Sequence, residues 1–310
     1  GIGDNAQSIQ GTQNGIANLM QNRATQILNN QPDLIGFVDG SNQTGNGPLG
    51  FFALDGNSAD MTLALSTSRS KILSTMAQTR LNEAFDSSRD QAASNTNSFG
   101  MSPGDPNGDR TGTYDIWASF YGSRANSGTT DSTLWVGYLG AHVFIAPDAL
   151  IGLMGQLDWA DETNSATSSN ADGFGWMIGP YLAGRIPDQN VYYEARASWG
   201  RSSNNISPIG TYTDSFDTVR WLANAKISGS YELGDYTLKP TASISYFEET
   251  QESYTNALAL IIPEQTVSLG EVRFGPNLQR TFILADGIRF VPSVGVSGVF
   301  NFGVRNGASS

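Results

Sequence analysis

The chain has 310 residues, 17 basic and 29 acidic, for a formal charge of −12 at pH 7, and no cysteine; the sequence pI is ≈ 4.4 and the mean hydropathy −0.27. The missing basic footprint excludes nucleic acid as a partner, and the missing thiols exclude a disulfide framework or a thiolate metal site. No apolar run reaches the ~20 residues of a spanning helix, which leaves a transmembrane β-barrel open, because its strands hide their hydrophobicity by alternation.

The chain starts at Gly1, with neither an initiator Met nor a basic-then-apolar leader, and reads as an internal piece of a longer precursor. Residues 1–112 and 113–310 differ in kind. In the first region Ile9, Ile16, Met20, Ala24 and Ile27 share one helical face, surrounded by Asn, Gln and Thr, until Pro32 stops the pattern. Arg23 is the only basic residue of residues 4–31. So narrow an apolar stripe does not suit a core helix. It suits a polar channel in which each side-chain amide finds a partner. GPLGFFALDG reads as a short strand or loop. A second helical stretch follows, with Ile72, Leu73, Met76, Ala77, Leu81, Ala84 and Phe85 beside Arg69, Lys71, Arg80 and Arg89, and it competes for the same place. Residues 91–112 are linker by composition. Within them DPNGDR imitates a calcium loop, but Arg110 stands where Gly is needed and Ile116 where Glu is needed.

From Thr113 the period changes to two. Nine strand-like segments lie near 113–124, 132–146, 149–161, 172–186, 190–202, 216–232, 236–249, 267–282 and 288–302. One face repeats an apolar stripe with aromatics at its ends: Ile151, Leu153, Gly155, Leu157, Trp159; Phe174, Trp176, Ile178, Pro180, Leu182; Trp221, Ala223, Ala225, Ile227, Gly229, Tyr231. The opposite face is polar, with Gln156, Asp158, Arg185, Glu194, Arg196, Arg220, Asn224, Lys226, Lys239, Glu271 and Arg273. An aromatic ring suits each membrane–water boundary and small apolar groups suit the acyl chains between. The polar face then points into a lumen, where paired charges are cheaper than isolated ones. Sandwich strands also alternate, but they are shorter and hide their aromatics in the core. Tight turns such as Pro147-Asp148 alternate with longer polar connections such as DETNSATSSNAD and SRANSGTTDS, as on the two rims of an outer-membrane barrel. The fold class is an all-β membrane barrel, antiparallel and up-and-down, with an N-terminal helical segment.

The runs DIWASFYG and LWVGYLGAHVFIAPDALIGLMGQLDWAD, with IANLMQNRATQILNNQPDLIGFV before them, resemble the translocator domain of type Va autotransporters, alphaproteobacterial members included. Helix, linker and strand rhythm carry the resemblance together, over nearly the whole chain. It implies twelve antiparallel strands in the bacterial outer membrane and a lumenal helix leading to a secreted N-terminal passenger. Further partners are outer-membrane lipid and the barrel-assembly machinery. It also implies a domain that exports and anchors the passenger, is not an enzyme and uses no cofactor. Nine strands is an odd number and the chain ends GVRNGASS without a terminal aromatic, so about three strands are expected beyond Ser310. Some members cut themselves between adjacent Asn residues, which draws attention to Asn29 and Asn30, although Asn at a helix end is common for capping alone. The alternatives are a porin-like channel and an outer-membrane hydrolase built on His142, the single histidine.

Overall fold

The computed structural model describes residues 2–39, 52–55, 58–66, 110–112, 114–127, 129–283, 289–290, 292–302 and 305–306. Helix α1 (Ile2–Asn29) and the one-turn α2 (Ile35–Val38) come first. The hairpin β1 (Phe52–Asp55) and β2 (Ser58–Ser66) follows, then the long strands β3 (Tyr114–Ser127), β4 (Thr130–Ala146), β5 (Ala149–Asn164), β6 (Ser169–Arg185), β7 (Val191–Ser207) and β8 (Asp214–Gly229). The short β9 (Tyr231–Leu233) leads into β10 (Tyr236–Gln251), and a small hairpin, β11 (Tyr254–Thr255) and β12 (Ile261–Ile262), precedes β13 (Gln265–Arg280). Fragments β14 (Phe282–Ile283), β15 (Arg289–Phe290), β16 (Ser293–Gly295), β17 (Gly298–Phe302) and β18 (Arg305–Asn306) complete the order. The second helical stretch and the calcium-like hexapeptide, apart from Arg110, lie outside the described residues.

Neighbours in sequence are neighbours in the sheet, all antiparallel, from β1 through β8 to β10 and β13. The helix α1 touches β4, β5, β6, β7, β10 and β13, so the sheet curls round it. Burial follows the strand period. Leu153 (61 % exposed), Ile178 (53 %), Trp221 (55 %) and Ile244 (50 %) face outward, while Asp158, Arg220 and Phe247 (each 0 %) face the helix. In water this exposed apolar surface would be an association hazard; in a bilayer it is the solvated face. Its upper edge is a ring of aromatics. Trp135 is directly opposite Trp159, Trp159 opposite Phe174 and Trp199 opposite Trp221, with Trp159–Phe174 centroids 5.5 Å apart and Trp199–Trp221 6.4 Å. Tyr114, Tyr231 and Tyr236 mark the other edge. At ~3.3 Å rise per residue and ~40° tilt, the interval from Trp221 to Tyr231 spans about 25 Å, the height of a hydrocarbon layer.

Three prolines on this face interrupt the ladder without shifting it. Ile178↔Trp199 and Tyr181↔Arg196 share one register on either side of Pro180. Ser228↔Thr241 and Tyr231↔Leu238 do so around Pro240, and Phe274↔Gly298 and Asn277↔Gly295 around Pro276. Each proline lacks the N–H that the neighbour would accept. Within the expected strand at 288–302 the ladder is interrupted at 296–297, opposite Pro276, while β16, β17 and β18 keep one register along β13.

Two further readings change. The stretches read as long loops are largely strand: pairing runs out to Ser127↔Thr130 and Asn164↔Ser169. Polarity there marks water on both faces, not loss of the ladder. Neighbouring hairpins lean on one another through Asn164 Nδ2 donating to Thr130 Oγ1 at 3.1 Å. The hairpin β1–β2 extends the sheet past Tyr114, with Met61 opposite Gly122 and Ser66 opposite Trp117. The alternation Ala59, Met61, Leu63, Leu65 was its legible signal.

Candidate functional site: the polar face around the helix

The apolar stripe of α1, widened by Leu19 and Leu28, packs on Leu134, Met177, Leu222, Phe247 and Val267 of the curled sheet. Gly15 sits where an added Cβ would lie 2.8 Å from Ile206, so the helix and wall approach closely there. The other helical faces meet polar side chains. Asn22 donates to Glu162 at 2.5 Å and Gln26 to Ser132 at 3.1 Å. At the far end Ile262 of β12 is fully buried in the same cluster, and Gln265 donates to the Gln13 carbonyl at 3.2 Å.

The centre of this contact is ionic. Arg23, 1 % exposed, donates to Glu249 (3.0 Å), Ser202 (3.0 Å) and Asn204 (2.8 Å), and its Nε lies 3.5 Å from Asp158. Asp158 in turn accepts a bidentate pair from Arg220 at 3.1 and 2.7 Å. Thr218 donates to Glu249 at 2.7 Å. Two cations and two carboxylates thus cancel in a fully buried cluster drawn from α1, β5, β7, β8 and β10. Room for the guanidinium groups comes from glycine. A Cβ on Gly175 would stand 2.0 Å from Arg220 Nη2, and one on Gly173 would stand 2.3 Å from Arg23 Nη2. Gly175→Ala should therefore destabilise the fold by about 1–3 kcal/mol in a urea titration, because the arginine it displaces is locked at both ends. An unchanged midpoint would mean that the cluster is loose.

Below α1 the chain turns at Pro32 and α2 wedges into the tight-turn end. Glu194 accepts from the N–H groups of Leu34 and Ile35, both at 2.9 Å. Lys226 bridges Asp33 (2.7 Å) and Glu194 (3.4 Å), and Lys239 reaches Asp39 at 3.3 Å. Arg110 donates to the Phe37 carbonyl at 2.8 Å and lies over the Phe144 ring. Arg196, also buried, has Met154 Sδ at 3.4 Å and the Tyr138 ring at 5.5 Å. Asn224 donates to Ser245 at 2.7 Å, and Arg273 holds Glu271 and the Asn29 side chain together. Glu194, Arg196, Arg220, Asn224, Lys226, Lys239 and Arg273 thus all lie on the face opposite the exposed stripes. The partners that sequence reasoning did not assign are Arg23, Glu249, Ser202, Asn204 and the two glycines.

The other candidates have plain surroundings. Asn30 donates its side-chain amide to the Gln26 carbonyl at 2.8 Å, closing the helix end. His142 lies between Tyr181 (2.8 Å) and Asp115 (3.5 Å), under the edge of Phe37. Among the described residues no cluster of His, Asp or Glu is arranged to hold a metal.

An antiparallel sheet that is apolar outside, girdled by aromatics and curled around a polar helix has the build of an outer-membrane β-barrel protein. Residues 116–310 match the family model of the autotransporter beta-domain, and the chain belongs to that family. Its fold is similar to the β-domain of the Bordetella autotransporter BrkA, with TM-score 0.51 and 20 % identity over 61 % of this chain and 79 % of that one. FpvA of P. aeruginosa aligns at TM-score 0.31 and 10 % identity, over 62 % and 34 %. No curated protein matches the sequence at a significant level. As a member of this family the chain is an integral outer-membrane translocator of type V secretion, working on an N-terminal passenger. The family's β-domain translocates and does not catalyse.

Proposed function

We propose that residues 1–112 carry the trailing end of the exported passenger and residues 113–310 the barrel, with α1 and α2 left in the lumen as its plug. In this reading Glu194, Arg196, Arg220, Asn224, Lys226, Lys239 and Arg273 line the lumen, and the barrel-assembly machinery inserts the whole unit. The observation that carries the proposal is Arg23, the one charged residue between Asn5 and Gln31, buried among groups from three separate strands. The Asn29–Asn30 pair supports a capping role, since Asn30 is spent on Gln26 and Asn29 on Arg273. Single-channel recording tests the plug. The intact chain should hold its conductance shut, and deletion of residues 2–31 should open steady large steps. Equal, large openings in both would favour a porin-like channel instead.

A further inference from the structure

The charges of the inner face are not spread evenly along it. At Arg23, Asp158 and Glu249 outnumber Arg220, and Arg23 makes good the difference; beside it a third acid, Glu162, accepts from the neutral Asn22. Toward the tight-turn rim the sign reverses: Arg196, Lys226 and Lys239 outnumber Glu194. There the plug supplies Asp33 to Lys226 and Asp39 to Lys239. The other described acids of that zone have their own partners: Glu271 pairs with Arg273, Asp148 with Arg185, and Asp115 faces His142. The rest of the plug surface from Asn5 to Gln31 is uncharged Gln, Asn, Thr and Ser around the apolar stripe.

We infer that the lumen is zoned, acidic at its centre and basic toward the tight-turn rim, and that this zoning sets the register in which the tail of the exported chain comes to rest. The inference rests on the plug reading above and goes beyond it. A slip of one helical turn, ~5.4 Å, would carry Leu19 or Ile27 to the level of Arg23. That sets an apolar side chain against Asp158 and Glu249, and the same slip withdraws Asp33 and Asp39 from their lysines. Both zones oppose the slip together: at the centre it strands fully buried charge, and at the rim partly buried lysines lose their partners. An uncharged stretch meets no such stop, so the segment ahead of Arg23 can slide past both zones. Because the zones differ in sign, a tail with the reversed charge order is rejected twice.

The chain's lack of cysteine makes the register readable. With Glu162→Cys on β5, Asn22→Cys reports the observed register, where Asn22 and Glu162 touch, and Asn18→Cys reports a one-turn slip. In otherwise native charge background the 22–162 disulfide should exceed the 18–162 disulfide by at least about tenfold. With Arg23→Gln, Asp33→Asn and Asp39→Asn together, measured on the heat-modifiable folded band, the two yields should approach one another. A triple variant that keeps the tenfold ratio overturns the zoning while leaving the plug intact. Absence of the 22–162 disulfide from the native charge background overturns the plug reading itself. If the triple variant does not assemble, Asp33→Asn with Asp39→Asn decides by the same ratio, because these two acids contact the half-exposed rim lysines, outside the fully buried cluster.

Discussion

Arg220→Met should lower the stability of the folded barrel by about 3–5 kcal/mol, read as a shift of the urea midpoint in detergent or lipid vesicles. The side chain is wholly buried and gives two hydrogen bonds to Asp158. Removing it leaves two carboxylates, Asp158 and Glu249, to share the single cation Arg23, without water to make up the deficit. The penalty belongs to the stranded charge more than to any net worth of the pair, because taking both ions out of water was itself expensive. The double variant Arg220→Met with Asp158→Asn restores neutrality around Arg23 and Glu249, and it should cost clearly less than Arg220→Met alone. A double variant as unstable as the single one would show that packing volume, not charge balance, dominates the site.

The lipid face supplies the second large effect. Ala195→Arg or Ala242→Arg should destabilise the inserted fold by about 2–4 kcal/mol, because a guanidinium near the bilayer midplane loses its hydration. Ala242 is flanked across the ladder by Ile227 and Phe274, both exposed on the same face. Ser243, one residue along, belongs to the inner face and pairs with Lys226 and Arg273, so Ser243→Arg should matter far less. Equal losses at Ala242 and Ser243 would refute the assignment of faces. The comparison needs only the parity of the strand to be right, which makes it independent of the ionic cluster.

The fold was legible where the period of the chain reports a solvent. Alternation along residues 149–161 or 221–231 separates the acyl-facing side chains from the rest without any knowledge of what they touch, because each position answers only to its own surroundings. The proline breaks were hidden by the same logic: Pro180, Pro240 and Pro276 sit on the apolar stripe as any apolar residue would, and only the ladder reveals the missing N–H. The outer ends of the strands were misread as loops since, above the membrane, both faces meet water and the alternation fades.

The sequence by itself determined which residues face lipid, that the opposite face is polar and ionic, and that a weakly charged amphipathic helix precedes the strands. These are one-body preferences, settled residue by residue through transfer between solvents. Tertiary structure alone decided that Arg23 meets Glu249 across 226 residues of chain, that Gly173 and Gly175 make space for two guanidinium groups, and that Asp33 and Asp39 balance the basic rim. Those are two-body terms. They depend on the register of every ladder between the partners and on the helix entering the curl of the sheet, and no local pattern encodes either.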